Sequence, residues 1–462
     1  MSRAASGSDR ATVATAVAEL GGWASSLTWT DAPSAARARL ELVLLDSLGV
    51  MVLGATAPEQ RALVQAWRPV PGRAPLIGGG MSTSTEAAAW LNAVALVRYE
   101  LDEGHKYAKG HPGAHVLPAV LALATDLDAS GPDTAAALLA GYEVAARFGR
   151  ATRMHSGAHP HGSWGVAGAA AGCARLLGLS PDGVAAAIDA GSGLPVAGHF
   201  DSALEGNPVR DSWMGAANVA GLAAARLAAA GQARNTGTAS GSLGTLLGDF
   251  DPGPLTDALG VRWEIELGYF KRHAACSFTH PVADALLSVR DEIGEPARIA
   301  SVLVETHSLA VGLDRTSWDS RLGALFSIPF VAATAVLHGR VDPGDSDPGA
   351  RDDPAVRALA GRVTLRLAAD LDARLPDERP ARVTVLTEGR ECTATVPNPI
   401  GDAAHHPFDR AGVEGLLRGW IRDDAAVATL TRVVDSLPNA TRVGPLLAEL
   451  AELSTPSAAE ES

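Results

Sequence analysis

Four short segments of this 462-residue chain gather most of the side chains that can move protons. The first, ELDEGHKYAKGHPGAH (residues 100–115), holds Glu100, Asp102, Glu103, His105, His111 and His115, with two of the chain's three lysines. Carboxylates beside imidazoles are the usual parts of general acid–base catalysis, although a solvated charged loop has the same composition. His111-Pro112-Gly113 directly before an apolar run sets an imidazole at a helix N-terminus, where the dipole lowers its pKa and favours a bound anion. The second, HSGAHPHGSWG (residues 155–165), carries His155, His159 and His161 ahead of a Gly/Ala-rich helix; His155 and His161 fit best as core residues. The third, PVRDSWMGAANVAG (residues 208–221), places Arg210 and Asp211 at a helix start. Such a pair often only caps, yet the Arg210 fork suits a bidentate grip on a carboxylate. The fourth, YFKRHAACSFTH (residues 269–280), brings Lys271, Arg272, His273, Cys276 and His280 to the point where two domains should join, and interdomain clefts are preferred ligand sites.

Lys271 stands out because 38 basic residues include only Lys106, Lys109 and Lys271 as lysine. Codon bias explains the arginine excess but not why these positions keep a compact ammonium that arginine cannot replace. Cys276 is expected to line the site, since a nucleophilic thiol needs a lowered pKa. No HExxH, facial-triad or Cys/His spacing is present, so no metal is expected. GxGxxG, GxxxxGK[ST] and GxSxG are also missing, which removes support for dinucleotide, NTP and serine-esterase chemistry.

The elements that must position these segments change character along the chain. Residues 11–230 read as successive helices, among them 35–53, 87–97, 117–127, 134–148 and 167–177, and need no strand. Ser180-Pro181 starts another, with Ser at the N-cap. Gly/Ala-rich faces such as GVAGAAAG permit short distances between helix axes. After about residue 267, segments 300–306, 362–367, 381–387 and 391–396 alternate as strands, with a turn at residues 388–390 and helices at 281–289 and 328–337. Residues 342–353 read as a solvated loop, 409–453 as a final helical stretch, and 454–462 as a frayed end. The fold class is therefore mainly α: a large all-helical domain (1–267 and 401–462) plus a smaller α+β lid domain (268–400).

Hydrophobic residues at 47% against 19% charged allow a sizeable core, built from Ala, Val and Leu because only 5% are aromatic. A formal charge of −14 disfavours nucleic acid and anionic membranes as partners. The N-terminus lacks an apolar signal core and no long apolar stretch stands out, which points to a cytoplasmic protein. Cys173, Cys276 and Cys392 are too few and too scattered for a disulfide framework.

Taken together, the segments resemble the MmgE/PrpD family. LDSLGVMVLGA (45–55), ELDEGHKYAKGHPG (100–113), GYEVAARFG (141–149), GAHPHGSWGVAGAAA (157–171), KRHAACSFTHP (271–281), FSIPF (326–330) and EGRECTATVPNPIGD (388–402) follow the family's motifs in order over nearly the whole chain. The resemblance implies a helical domain assembled from both chain ends, a lid domain and a homodimer. It also implies His111, His159 and Lys271 as catalytic residues, with Glu100, Asp102, Gly104, His105, Arg210, Arg272 and Cys276 binding substrate. Four positions depart from the pattern: Glu100 is the opening acid, Gly104 replaces a threonine, Arg210 a lysine and Trp213 a histidine. Only the second cysteine of the family's pair survives, as Cys276.

The expected activity is cofactor-free β-elimination of water from a small hydroxylated di- or tricarboxylic acid. An imidazole, His159 or His111, takes the proton α to a carboxylate, while Lys271 and Arg210 hold carboxylates and stabilise enolate-like charge. Decarboxylation and epimerisation use the same groups and are the alternatives. A catalytically silent binding subunit is the alternative from another class, motivated by the altered positions.

Overall fold

The computed structural model describes residues 7–453, so the tail 454–462 lies outside the described residues. Buried apolar side chains fall into two clusters. One is built from residues 13–274 together with 413–450, the other from Ala203 and residues 275–385. The first contains long helices: Gly7–Ser26, Ser34–Ala55, Thr85–Val97, Pro112–Asp126, Gly131–Ala151, Val166–Leu176, Pro181–Ser192 and Val209–Ala229. Ser84, Ser130 and Ser180 cap three of them by accepting from Ala87, Asp133 and Gly183 backbone N–H groups. The final helices Arg410–Ile421, Asp424–Ser436 and Gly444–Ala451 return to this cluster through Val413, Leu417, Leu430 and Leu447. No single described helix is long and apolar enough to cross a membrane.

The small-residue faces bring helices into backbone contact. A Cβ on Gly168 of the Val166–Leu176 helix would lie 2.5 Å from the Gly141 carbonyl of Gly131–Ala151, so glycine is required at this crossing.

The helix beginning at Pro112 differs from the expected start near residue 117: it continues through Pro118 to Asp126. Pro118 has no N–H to give the Ala114 carbonyl. Asn218 supplies one, donating from Nδ2 to Ala114 O at 2.9 Å while its Oδ1 accepts from Ala119 N at 2.9 Å. A side chain from the Val209–Ala229 helix thus repairs the ladder around the proline.

The second cluster surrounds a four-stranded sheet in the order Arg390–Val396, Ala381–Thr387, Ile299–Thr306, Val363–Leu367. Ala381–Thr387 runs antiparallel to both of its neighbours, and Val363–Leu367 pairs parallel to Ile299–Thr306. Val302 opposite Val385 and Val304 opposite Val383 place one apolar face on the helices His280–Ser288 and Ile328–His338. The sheet's hairpin turns at Gly389, whose φ of +82° suits glycine.

Two expectations are corrected here. The N-terminal part is not all-helical: Pro71–Leu76 pairs with Met81–Thr83, and Thr152–Met154 with Gly248–Phe250. The first hairpin is rich in Pro and Gly and shows no β-type alternation; it is anchored by Gly78 and Gly80 N–H groups donating to Leu450 and Ala451 carbonyls. Residues 342–353 are not simply a solvated loop, because Pro343–Ser346 and Pro348–Arg351 form helical turns with Asp345 and Ser346 buried.

The link that matters most for chemistry is a two-residue ladder, Gly104–His105 against Gly268–Tyr269, which ties the first proton-bearing segment to the fourth.

Candidate active site

Where the two clusters meet, a cavity is lined by Glu100, His111, His159, His161, Arg210 and Cys276, with Lys109, Tyr269 and Arg379. Phe200, Phe278 and Phe326 supply apolar wall. A larger, more open groove near Gln60, Ile77 and Asn92 has no imidazole or carboxylate in its lining.

His111 is the N-cap of the Pro112–Asp126 helix. Its Nδ1 lies 2.7 Å from the Glu103 carbonyl and 2.9 Å from Asp102 Oδ2. Both partners are acceptors, so Nδ1 carries the proton and Nε2 is left for proton exchange. Burial alone would raise the Asp102 carboxyl, but the charges of His111 and Lys271 hold it far below its ordinary value. Asp102 is therefore a fixed anion that orients the imidazole.

Lys271 is fully buried and places Nζ 3.1 Å from Asp102 Oδ1 and 3.5 Å from Glu100 Oε2. Burial would lower its pKa, yet Asp102 and Glu100 raise it above the ordinary lysine range, so it is a permanent cation. Lys271 thus sits behind the cavity wall and acts on it through Asp102 and Glu100, with no open face for a substrate carboxylate.

Arg210 is also engaged. It contacts Glu100, Asp211 at 3.3 Å and His161 Nε2 at 3.3 Å, while Arg98 Nη1 holds the other Asp211 oxygen at 2.8 Å. Arginine only donates, so His161 Nε2 accepts and its proton sits on Nδ1. His159 Nδ1 accepts from His161 N–H at 3.1 Å, which leaves His159 Nε2 as the protonated atom. Burial first, then the Arg210 charge, pushes both imidazoles well below the ordinary histidine value. His159 and His161 are therefore neutral, while His111 is the imidazole held against the Asp102 carboxylate. The His159 ring is held by stacking on Phe200 at 5.2 Å and by Trp213 at 5.4 Å.

His161 was expected in the core; instead its ring stands 5.0 Å from His111 and 4.7 Å from His159, completing a row of three. His155, also expected in the core, is instead exposed. Cys276 lines the cavity, and burial, reinforced by Glu100, pushes its thiol up to about 12, so no thiolate is available.

Besides Asp102, which is buried behind His111 and outside the cavity lining, three of the sequence-predicted substrate residues lie elsewhere. His105 is wedged against Glu264 at 3.3 Å with Nδ1 accepting from Ala108 N–H, and it shapes the loop rather than facing the cavity. Gly104 sits in the ladder; a Cβ there would be 2.4 Å from the Tyr269 hydroxyl, so a threonine at this position would force the Tyr269 ring to shift. Arg272 points away, into a separate recess with Arg340 and Trp420, bound to Asp284 at 3.3 Å. Sequence reading missed Arg379, which reaches the cavity from the segment before the Ala381–Thr387 strand, and Tyr269; a loop arginine far from every motif leaves no local pattern.

Asp102, His111 and His161 place possible ligand atoms within 4.8 Å of one another. Lys271 already holds one Asp102 oxygen and Arg210 occupies His161 Nε2, so cations engage two of these three residues and the group does not fit a divalent ion.

Residues 18–246 match the MmgE/PrpD N-terminal domain and residues 273–415 the MmgE/PrpD C-terminal domain. The chain is similar to a cis-aconitate decarboxylase of Aspergillus terreus, 27% identical over 470 residues and covering 93% of this chain and 94% of that protein. It is also similar to a cis-aconitate decarboxylase-like protein of Aspergillus oryzae, 27% identical over 389 residues, covering 77% and 80% respectively.

Proposed function

Because this chain belongs to the MmgE/PrpD family, we propose that it is an acid–base lyase that decarboxylates a small unsaturated polycarboxylate without a metal or organic cofactor. The observation that carries this reading is the Asp102–His111 pair: one imidazole equipped to protonate carbon, beside two that their neighbours keep neutral. In an acid such as cis-aconitate, the substrate named for the relatives, the bond to one carboxylate breaks and its electron pair forms a new C=C. The old alkene pair takes the proton from His111 Nε2, and Asp102 stabilises the imidazolium before transfer. Phe200, Phe278 and Phe326 give the departing CO₂ an apolar exit and keep water from the carbanion-like centre. In this reading residues 268–400 act as a lid over the helical part.

Elimination of water, the reaction expected from sequence, is the second reading. It is favoured by His159 Nε2–H and the Tyr269 hydroxyl, two donors suited to a leaving hydroxyl. Incubation of the protein with cis-aconitate and, separately, with citrate in D₂O, followed by NMR, separates the two. Loss of one carboxylate with a single deuteron entering at carbon supports decarboxylation. A product that keeps every carboxylate but has lost water supports elimination, and no turnover of either acid contradicts the lyase reading.

A further inference from the structure

The cations expected to hold substrate, Arg210 and Lys271, are already matched to Glu100, Asp102 and Asp211. A polycarboxylate entering the cavity needs another partner. Arg379 is only 5% exposed, yet among the described residues no carboxylate pairs with it. Its one recorded side-chain hydrogen bond runs from Nη2 to the Lys106 carbonyl at 2.8 Å, which leaves the rest of the guanidinium fork for the cavity. The guanidinium is pinned between aromatic rings, 5.7 Å from Tyr269 and 5.2 Å from Phe278. Its backbone N–H donates to Asn398 Oδ1 at 2.9 Å, and Lys106 Nζ binds the nearby Asp377 carbonyl at 2.9 Å and Asp402 at 3.1 Å. A buried, preorganised guanidinium with an open fork is the geometry of a carboxylate receptor.

We propose that Arg379 is the anchor for a substrate carboxylate remote from the reacting carbon, so that the site selects acids with three carboxylates over those with two. The inference rests on the polycarboxylate reading above, and it assigns the recognition step to the second cluster while His111 in the first does the proton transfer. A charge-assisted bidentate pair in a dry site is worth roughly a 10–100-fold change in affinity.

The test is calorimetric titration with the non-reacting saturated acid tricarballylate (three carboxylates) and with glutarate (two), on the wild type, Arg379→Met and Arg379→Lys. Arg379→Met is expected to lose roughly 10–100-fold in tricarballylate affinity and less than about threefold for glutarate, so that the preference disappears. Arg379→Lys, which keeps the charge but loses the fork, is expected to fall between. Equal weakening toward both acids, or unchanged tricarballylate binding in Arg379→Met, overturns the assignment even if the enzyme is a lyase. Failure of the wild type to bind either acid overturns the polycarboxylate reading and this inference with it. Should Arg379→Met not fold, Arg379→Lys alone decides: an undiminished preference for tricarballylate contradicts the proposal.

Discussion

At the level of single residues, the site sorts its ionisable groups by what surrounds each. Glu103, beside Asp102, accepts from Gly113 N–H and from the Tyr142 hydroxyl. Burial pushes its carboxyl from 4.5 up to about 7 against the pull of His111. The folded chain thus keeps a proton that the unfolded chain has released. The resulting stability is full below about pH 4.5 and is lost as pH rises through 7. Glu103→Gln removes this dependence, so its melting temperature relative to wild type is expected to climb between pH 5 and pH 8; a flat difference across that range contradicts the assignment. Cys276→Ala is expected to keep activity within about threefold, because a thiol held near 12 supplies no thiolate at neutral pH. The sequence pointed to His111 through its helix-start setting, and to His111 and His159 together through the family resemblance. It did not distinguish His161 from a core residue, since that depends on Arg210 arriving from a distant helix.

At the level of elements, the helices were legible where apolar spacing and serine caps coincide, and least legible where one element is completed by another. Pro118 made the Pro112–Asp126 helix look as if it began several residues late; the missing bond is supplied by Asn218, 100 positions further on. Asn218→Ala strands two buried backbone groups and is expected to cost about 2–4 kcal/mol. Pro118→Ala restores an N–H able to reach the Ala114 carbonyl, so it should recover part of that loss in the Asn218→Ala background. Thermal unfolding of the four forms measures the coupling, and simple additivity would contradict the repair. The strand pattern after residue 299 was read closely because β-branched residues alternate there, whereas the Pro/Gly-rich hairpin at residues 71–83 follows from docking against the C-terminal helix.

For the molecule as a whole, the active cavity exists only where the two apolar clusters are held together. Lys106, which sequence reading noted mainly as a rare lysine, is one of the fasteners, binding Asp402 and the Asp377 carbonyl. Lys106→Met leaves a buried carboxylate unpaired, at a cost on the order of 3–5 kcal/mol. Hydrogen exchange is expected to quicken in residues 377–402 while the helices Gly131–Ala151 and Val209–Ala229 keep their protection; uniform quickening would contradict a local fastening role. The passage from long helices to a stretch that carries a four-stranded sheet was readable from the change in periodicity. The convergence of four segments on one cavity was readable only through resemblance, because no local rule places residue 111 beside residue 161. The most direct measurement of the account is the turnover of His111→Gln on whichever acid the wild type converts, with tricarballylate binding measured in parallel. The account predicts a loss on the order of 10²–10⁴ in kcat with affinity changed less than about threefold; activity within about twofold of wild type would contradict it.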